Sequence, residues 1–124
     1  MKISAVIPSA APITPAPWHN QFDEVLNIHG IGGPAWKRND GIARAAGDVV
    51  VFLDDDAAPI AGFADAVRRI MADKTIALCG GPSIPSPDAS PIARMLHRVM
   101  ASASDATWLR YTVSPNQDAP WQAF

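Results

Sequence analysis

A single cysteine, Cys79, among 124 residues excludes an internal disulfide. Its position at the end of an apolar run predicts a buried, structural thiol in a reducing compartment. No stretch approaches the roughly 20 consecutive apolar residues of a membrane span, so a spanning chain is excluded. Nor is there a run of one charge. The 10 basic and 12 acidic residues are interspersed and leave a formal charge of −2, which denies the chain the broad electropositive face that a nucleic acid requires. Met1-Lys2 followed by Ile3 to Ala11 faintly resembles a secretory leader, but Pro8 and Pro12 break its apolar segment and the basic region is one lysine. The expectation is a cytoplasmic protein. There is no internal repeat, and the length with 48% apolar residues predicts one soluble domain with a single modest core.

Proline, by contrast, is abundant. The 12 prolines cluster at Pro8 to Pro17, at Pro82 to Pro91 and near the C-terminus, and these segments read as loops. Between them lie short Val/Ile/Leu-rich runs, Ile3 to Ile7, Val25 to His29, Val49 to Leu53 and Thr75 to Cys79, each a candidate buried strand. Three segments carry helical spacing. Trp36 to Ala46 ends at Gly47, where a left-handed cap is expected. Phe63, Val67, Ile70 and Met71 form an apolar stripe that would lie against a sheet, and Ile92, Leu96, Val99 and Ala103 repeat the pattern. Strands alternating with helices predict an α/β fold with a mostly parallel sheet and ligand loops at the carboxyl ends of its strands, after His29, Leu53 and Cys79. The first connection, Ser9 to Phe22, shows no helical periodicity where a crossover helix ordinarily stands.

The strongest local signal is Val49-Val50-Val51-Phe52-Leu53-Asp54-Asp55-Asp56, an apolar strand ending in three adjacent carboxylates. Adjacent like charges repel, and a divalent cation held by oxygen ligands is one way to offset that repulsion where a phosphate-bearing substrate binds. A solvated acidic turn is the plain alternative.

Upstream of that strand stands Lys37-Arg38-Asn39-Asp40-Gly41-Ile42-Ala43-Arg44-Ala45-Ala46-Gly47-Asp48. With the acidic turn it resembles the A-R-N-x-G-x-x-x-A-x-G-[DE], strand, D-x-D pattern of family 2 glycosyltransferases. Ile3 to Ser9 is similar to that family's opening strand, and Cys79-Gly80-Gly81-Pro82 to its later G-G-P turn. The resemblance covers roughly residues 1 to 100. It implies a reduced GT-A, Rossmann-like fold over residues 1–105, followed by a C-terminal tail, 106–124, with at most a short strand through Trp108 to Val113 or an oligomer contact. It also implies a nucleotide-diphospho-sugar donor, an acceptor, and Mn²⁺ or Mg²⁺ on the donor's pyrophosphate, with transfer by inversion. Carried over residue by residue, Asp54 and Asp56 would hold the metal. Pro8, His29, Arg38, Asn39, Asp54 and Gly80 would line the donor site, with Asn39 tying the strand-end loops together through its amide.

The chain departs from the pattern in three places. His29-Gly30-Ile31-Gly32-Gly33 stands where the family has an acidic loop after its second strand, the first βα unit is collapsed into the proline loop, and the acceptor half with its general base is missing. Asp88, Asp105 and Asp118 lie downstream in no recognisable motif, so no catalytic base is assigned. A small sheet with open edges, and Trp18, Trp108 and Trp121 outside clear elements, would suit a homodimer.

Other classes compete. Gly30-x-Gly32-x-x-Ala35 after Val25 to His29, with Asp54 further on, imitates a dinucleotide-binding turn, although Pro34 and Trp36 crowd the start of the helix. A haloacid-dehalogenase-type phosphatase shares D-x-D, but Ala58 stands where its motif needs Thr or Val. A non-catalytic sugar-nucleotide-binding or assembly module is the remaining alternative.

Overall fold

The computed structural model describes residues 1–81, 84–104 and 122–123. The chain divides into two compact units, Met1–Arg68 and Arg69–Phe124.

The first unit is built on β1 (Ile3–Pro8), β2 (Glu24–Ile28) and β3 (Val49–Phe52), which form a parallel sheet in the order β2-β1-β3. β1 is central because its run is apolar on both faces. Ile3, Ala5, Val6 and Ile7 are buried with at most 1% exposure, as a parallel strand covered on both sides must be. Pro8 pairs with Ile28, and Val6 with Phe52. The expected α/β fold and three of its strands are therefore present.

The β1–β2 connection carries a short 3-10 helix, Pro17–Gln21, in place of an α-helix. Trp18 and Phe22 meet edge to face, and Phe22 meets Phe63 in the same way, so three rings seal the connection that the missing helix would have covered.

Helix α1 (Pro34–Arg44) starts with proline in its first turn, where no N–H is needed. It ends at Arg44 with Ala45 as its C-cap, two residues short of the expected Ala46. Gly47 is not a left-handed cap: the glycines with positive φ are Gly30, Gly32 and Gly62. Gly47 is required for a different reason. A Cβ there would stand 2.7 Å from the Ser4 backbone nitrogen and Oγ, and the Gly47 N–H donates to that hydroxyl at 2.8 Å. Helix α2 (Phe63–Ile70) buries Ala64, Ala66 and Val67, which includes part of the expected stripe.

In the second unit, α3 (Pro91–Ser104) forms where the spacing placed it, with Ile92, Met95, Leu96 and Val99 more than half exposed. The buried strand expected over Thr75 to Cys79 does not form. A two-residue β4 (Cys79–Gly80) pairs antiparallel with β5 (Gln122–Ala123), and Leu78 is 71% exposed. Lys74 and Thr75 lie in a turn, where Asp73 accepts from both the amide and the hydroxyl of Thr75, so the run begins by bending and not by extending. Cys79 is half-buried, not fully buried, and that burial raises its thiol pKa. The strand expected at Trp108 to Val113, and Trp108, Trp121, Asp105 and Asp118, lie outside the described residues. Among the described residues no helix is long and apolar enough to cross a membrane.

Candidate functional site

The parallel sheet brings three strand ends to one edge. Since Pro8 is level with Ile28 and Val6 with Phe52, the residues two beyond Val6 and Phe52, namely Pro8 and Asp54, emerge side by side, with His29 next to them after β2. Pro8 is half-buried, while His29 and Asp54 are exposed. The acidic triplet forms a tight turn, closed by the Ala57 N–H donating to the Asp54 carbonyl at 3.0 Å. Asp55 and Asp56 occupy its centre and are exposed.

Arg38 reaches this edge from α1. Its Nη2 donates to Asp54 Oδ1 at 3.2 Å, with the two side chains 40% and 73% exposed. Part of the repulsion within the triplet is thus relieved by a cation from the neighbouring helix. Asn39 is exposed on the same helix. Gly80 belongs to β4 in the second unit, and Pro82 lies outside the described residues.

Asn27 ties strand-end loops together through its side-chain amide. Its Nδ2 donates to the Ile7 carbonyl at 3.0 Å and to Ser9 Oγ at 2.7 Å, and its Oδ1 accepts from the Ile13 N–H at 3.1 Å. The signal was a polar residue inside the run Val25-Leu26-Asn27-Ile28, where an amide must find partners. Lys37 is a second tether. Only 7% exposed, it donates from Nζ to the Ser9 carbonyl. Its burial was not legible, since the family pattern carries alanine at that place and a helix-surface lysine is the ordinary reading. Together Asn27 and Lys37 anchor the start of the proline loop to β2 and α1.

At the opposite, amino ends of the strands a second polar network sets the helix–sheet geometry. Asp23 accepts from the Ile3 N–H at 2.8 Å and from Arg68 at 2.9 Å, and these bonds, the backbone one foremost, hold its carboxyl below the ordinary 3.8. Glu24 accepts from the Ala46 N–H at 2.9 Å and from the Ser4 hydroxyl, which keeps its pKa below 4.5. Asp48 accepts from the Lys2 N–H at 2.8 Å. The Gly47-Asp48 part of the motif is therefore structural in this chain. An open cleft of about 320 Å³ beside Phe22, Asp23, Gly62 and Arg68 includes none of the residues expected to bind the donor.

Among the described residues no three His, Cys, Asp or Glu side chains form a cluster able to hold a metal. The turn offers oxygen donors only, on adjacent exposed residues. Such a set suits Mg²⁺ or Mn²⁺, which bind through one or two carboxylates and complete their shell with substrate phosphate oxygens and water, and it suits poorly a metal needing an all-protein cage.

The glycine loop after β2 fits a dinucleotide less well. The Trp36 ring lies over Gly32, with Cε3 2.8 Å from where a Cβ would stand, so the tryptophan covers the backbone that a pyrophosphate would have to approach.

No curated protein and no solved structure matches the chain. A family model described as Glycosyl transferase family 2 matches residues 20–118, starting after most of the proline loop and taking in α1, β3 and the acidic turn. With this match over most of its length and a reduced GT-A-like sheet, the chain belongs to glycosyl transferase family 2.

Proposed function

We propose that this glycosyltransferase-like chain binds a nucleotide-diphospho-sugar across the carboxyl ends of β1, β2 and β3, with Mn²⁺ or Mg²⁺ on Asp54 and Asp56, and that it serves sugar transfer with inversion to an acceptor hydroxyl. The observation that carries the reading is the convergence at one sheet edge of Asp54, Asp56 and Arg38, two carboxylates for a cation and one guanidinium for a phosphate.

When bound, the cation would supply Lewis-acid stabilisation to the departing nucleoside diphosphate. The chain's own contribution is placement. Asp54 and Asp56 sit on a closed turn just after β3, with both side chains exposed to solvent. Arg38 offers a planar fork of donors matched to phosphate oxygens. Pro8 and His29 flank the same edge, and Asn27 and Lys37 keep the proline loop docked beside it.

The test is calorimetric titration with UDP, GDP and their sugar conjugates, first with Mn²⁺ and then with chelator. Binding that needs manganese supports the donor site; a folded sample that binds none of them refutes it. A sugar-nucleotide-binding module without turnover is the second reading. Release of free nucleoside diphosphate from the sugar conjugate, measured over hours with candidate acceptors, separates the two.

A further inference from the structure

The Arg38–Asp54 ion pair blocks one of the carboxylates that the proposed metal site needs. We propose that Arg38 is an exchangeable counterion: it holds Asp54 while no cation is present, and swings to the nucleotide's diphosphate when Asp54 takes the metal. This inference rests on the donor-site reading above.

Three observations support it. Among the described residues, Asp54 alone of the three turn carboxylates is ion-paired, so the pair is specific to the residue carried over as a metal ligand. The pair is a single contact of 3.2 Å through Oδ1, and exposed pairs of this kind are weak. The Arg38 backbone, by contrast, is held firmly, because Lys37 is tethered to Ser9 and Gly41 is pressed on Val6. A long side chain on a fixed helix can therefore change partner without moving the fold. A dication held by Asp54 would share that carboxylate with the guanidinium, and repulsion between the two cations would drive the exchange. The donor's diphosphate then receives the displaced arginine, whose planar fork of donors matches phosphate oxygens.

The exchange predicts effects of opposite sign in one variant. Arg38→Gln frees Asp54, so Mn²⁺ alone binds up to about fivefold more tightly. The same variant lacks the phosphate donor, so UDP or GDP with manganese binds about tenfold more weakly or worse. Arg38→Lys keeps a charge and falls between the two in both measurements. A merely structural arginine would move both affinities in one direction, and thermal melting shows whether the variants remain folded. The experiment is calorimetry of the full chain with MnCl₂ alone, then with UDP and with GDP in saturating manganese. Manganese affinity unchanged or weakened in Arg38→Gln overturns the proposal, as does no detectable manganese on either protein. Asp54→Ala and Asp56→Ala separate this failure from that of the site itself. If both variants retain manganese-dependent nucleotide binding, the donor-site reading falls; if both lose it while Arg38→Gln shows no split, only the exchange falls.

Discussion

Gly41 on α1 lies directly against Val6 on β1, so close that a Cβ at position 41 would overlap Val6 Cγ1. Both residues are buried, and their contact sets the distance of the helix from the central strand. The glycine of the family pattern is therefore a packing residue here, and the height at which α1 presents Arg38 follows from it.

Gly41→Ala is expected to destabilise the protein by about 1–3 kcal/mol, the usual cost of forcing extra volume into a packed contact. Ala43→Ser, exposed on the same helix, is expected to stay within about 0.5 kcal/mol. Chemical denaturation of the two variants checks this, and equal losses would mean that the helix does not rest on Val6.

Asp54→Ala and Asp56→Ala should each abolish manganese-dependent nucleotide binding while leaving the melting temperature close to that of the parent, since both side chains are exposed and neither supports the core. Asp55→Ala should retain binding. Loss with Asp55→Ala and retention with Asp56→Ala would shift the register of the ligand pair by one residue.

The proline loop depends on two tethers. Lys37→Met leaves the Ser9 carbonyl without its charged donor and is expected to cost about 1–3 kcal/mol. Asn27→Ala removes the acceptor of the Ile13 N–H, so the Ile13 amide should exchange with solvent near its unprotected rate. Hydrogen exchange read at single residues measures this, and an Ile13 amide still protected in Asn27→Ala would show that the loop is held elsewhere.

Stability should fall in acid. Asp23 and Glu24 have folded pKa values below their ordinary 3.8 and 4.5, so the unfolded chain binds more protons as pH drops through that range. Their contribution is fully present above about pH 5 and is lost as the pH passes down through the lowered folded values. Glu24→Gln should be less stable than the parent at pH 7, and its melting temperature should change less between pH 5 and pH 3. Parallel melting curves for the two proteins across that interval would remove Glu24 from the acid response.

Much of the first unit is legible in the sequence. Ile3 to Ile7, Val25 to His29 and Val49 to Leu53 are apolar runs of strand length, and the spacing in Trp36 to Ala46 and in Phe63 to Met71 is helical, so local pattern alone places them within a few residues. Thr75 to Cys79 shows the limit of that inference. The run has strand composition, but a strand exists only where a neighbour accepts its ladder, and here only Cys79–Gly80 finds one.

The sequence by itself determined the α/β alternation, the acidic turn after β3 and the family pattern that makes Asp54 and Asp56 candidate ligands, because periodicity, like-charge clustering and glycine placement are properties of neighbours along the chain. The tertiary structure decided which residues meet across it: Arg38 with Asp54, Lys37 with Ser9, Asn27 with Ile13, Gly41 with Val6 and Gly47 with Ser4. Those contacts join positions 14 to 43 residues apart. They depend on strand order and on the approach of α1 to the sheet, and burial of a lysine or crowding of a glycine is a property of that approach, which no local stretch of sequence contains.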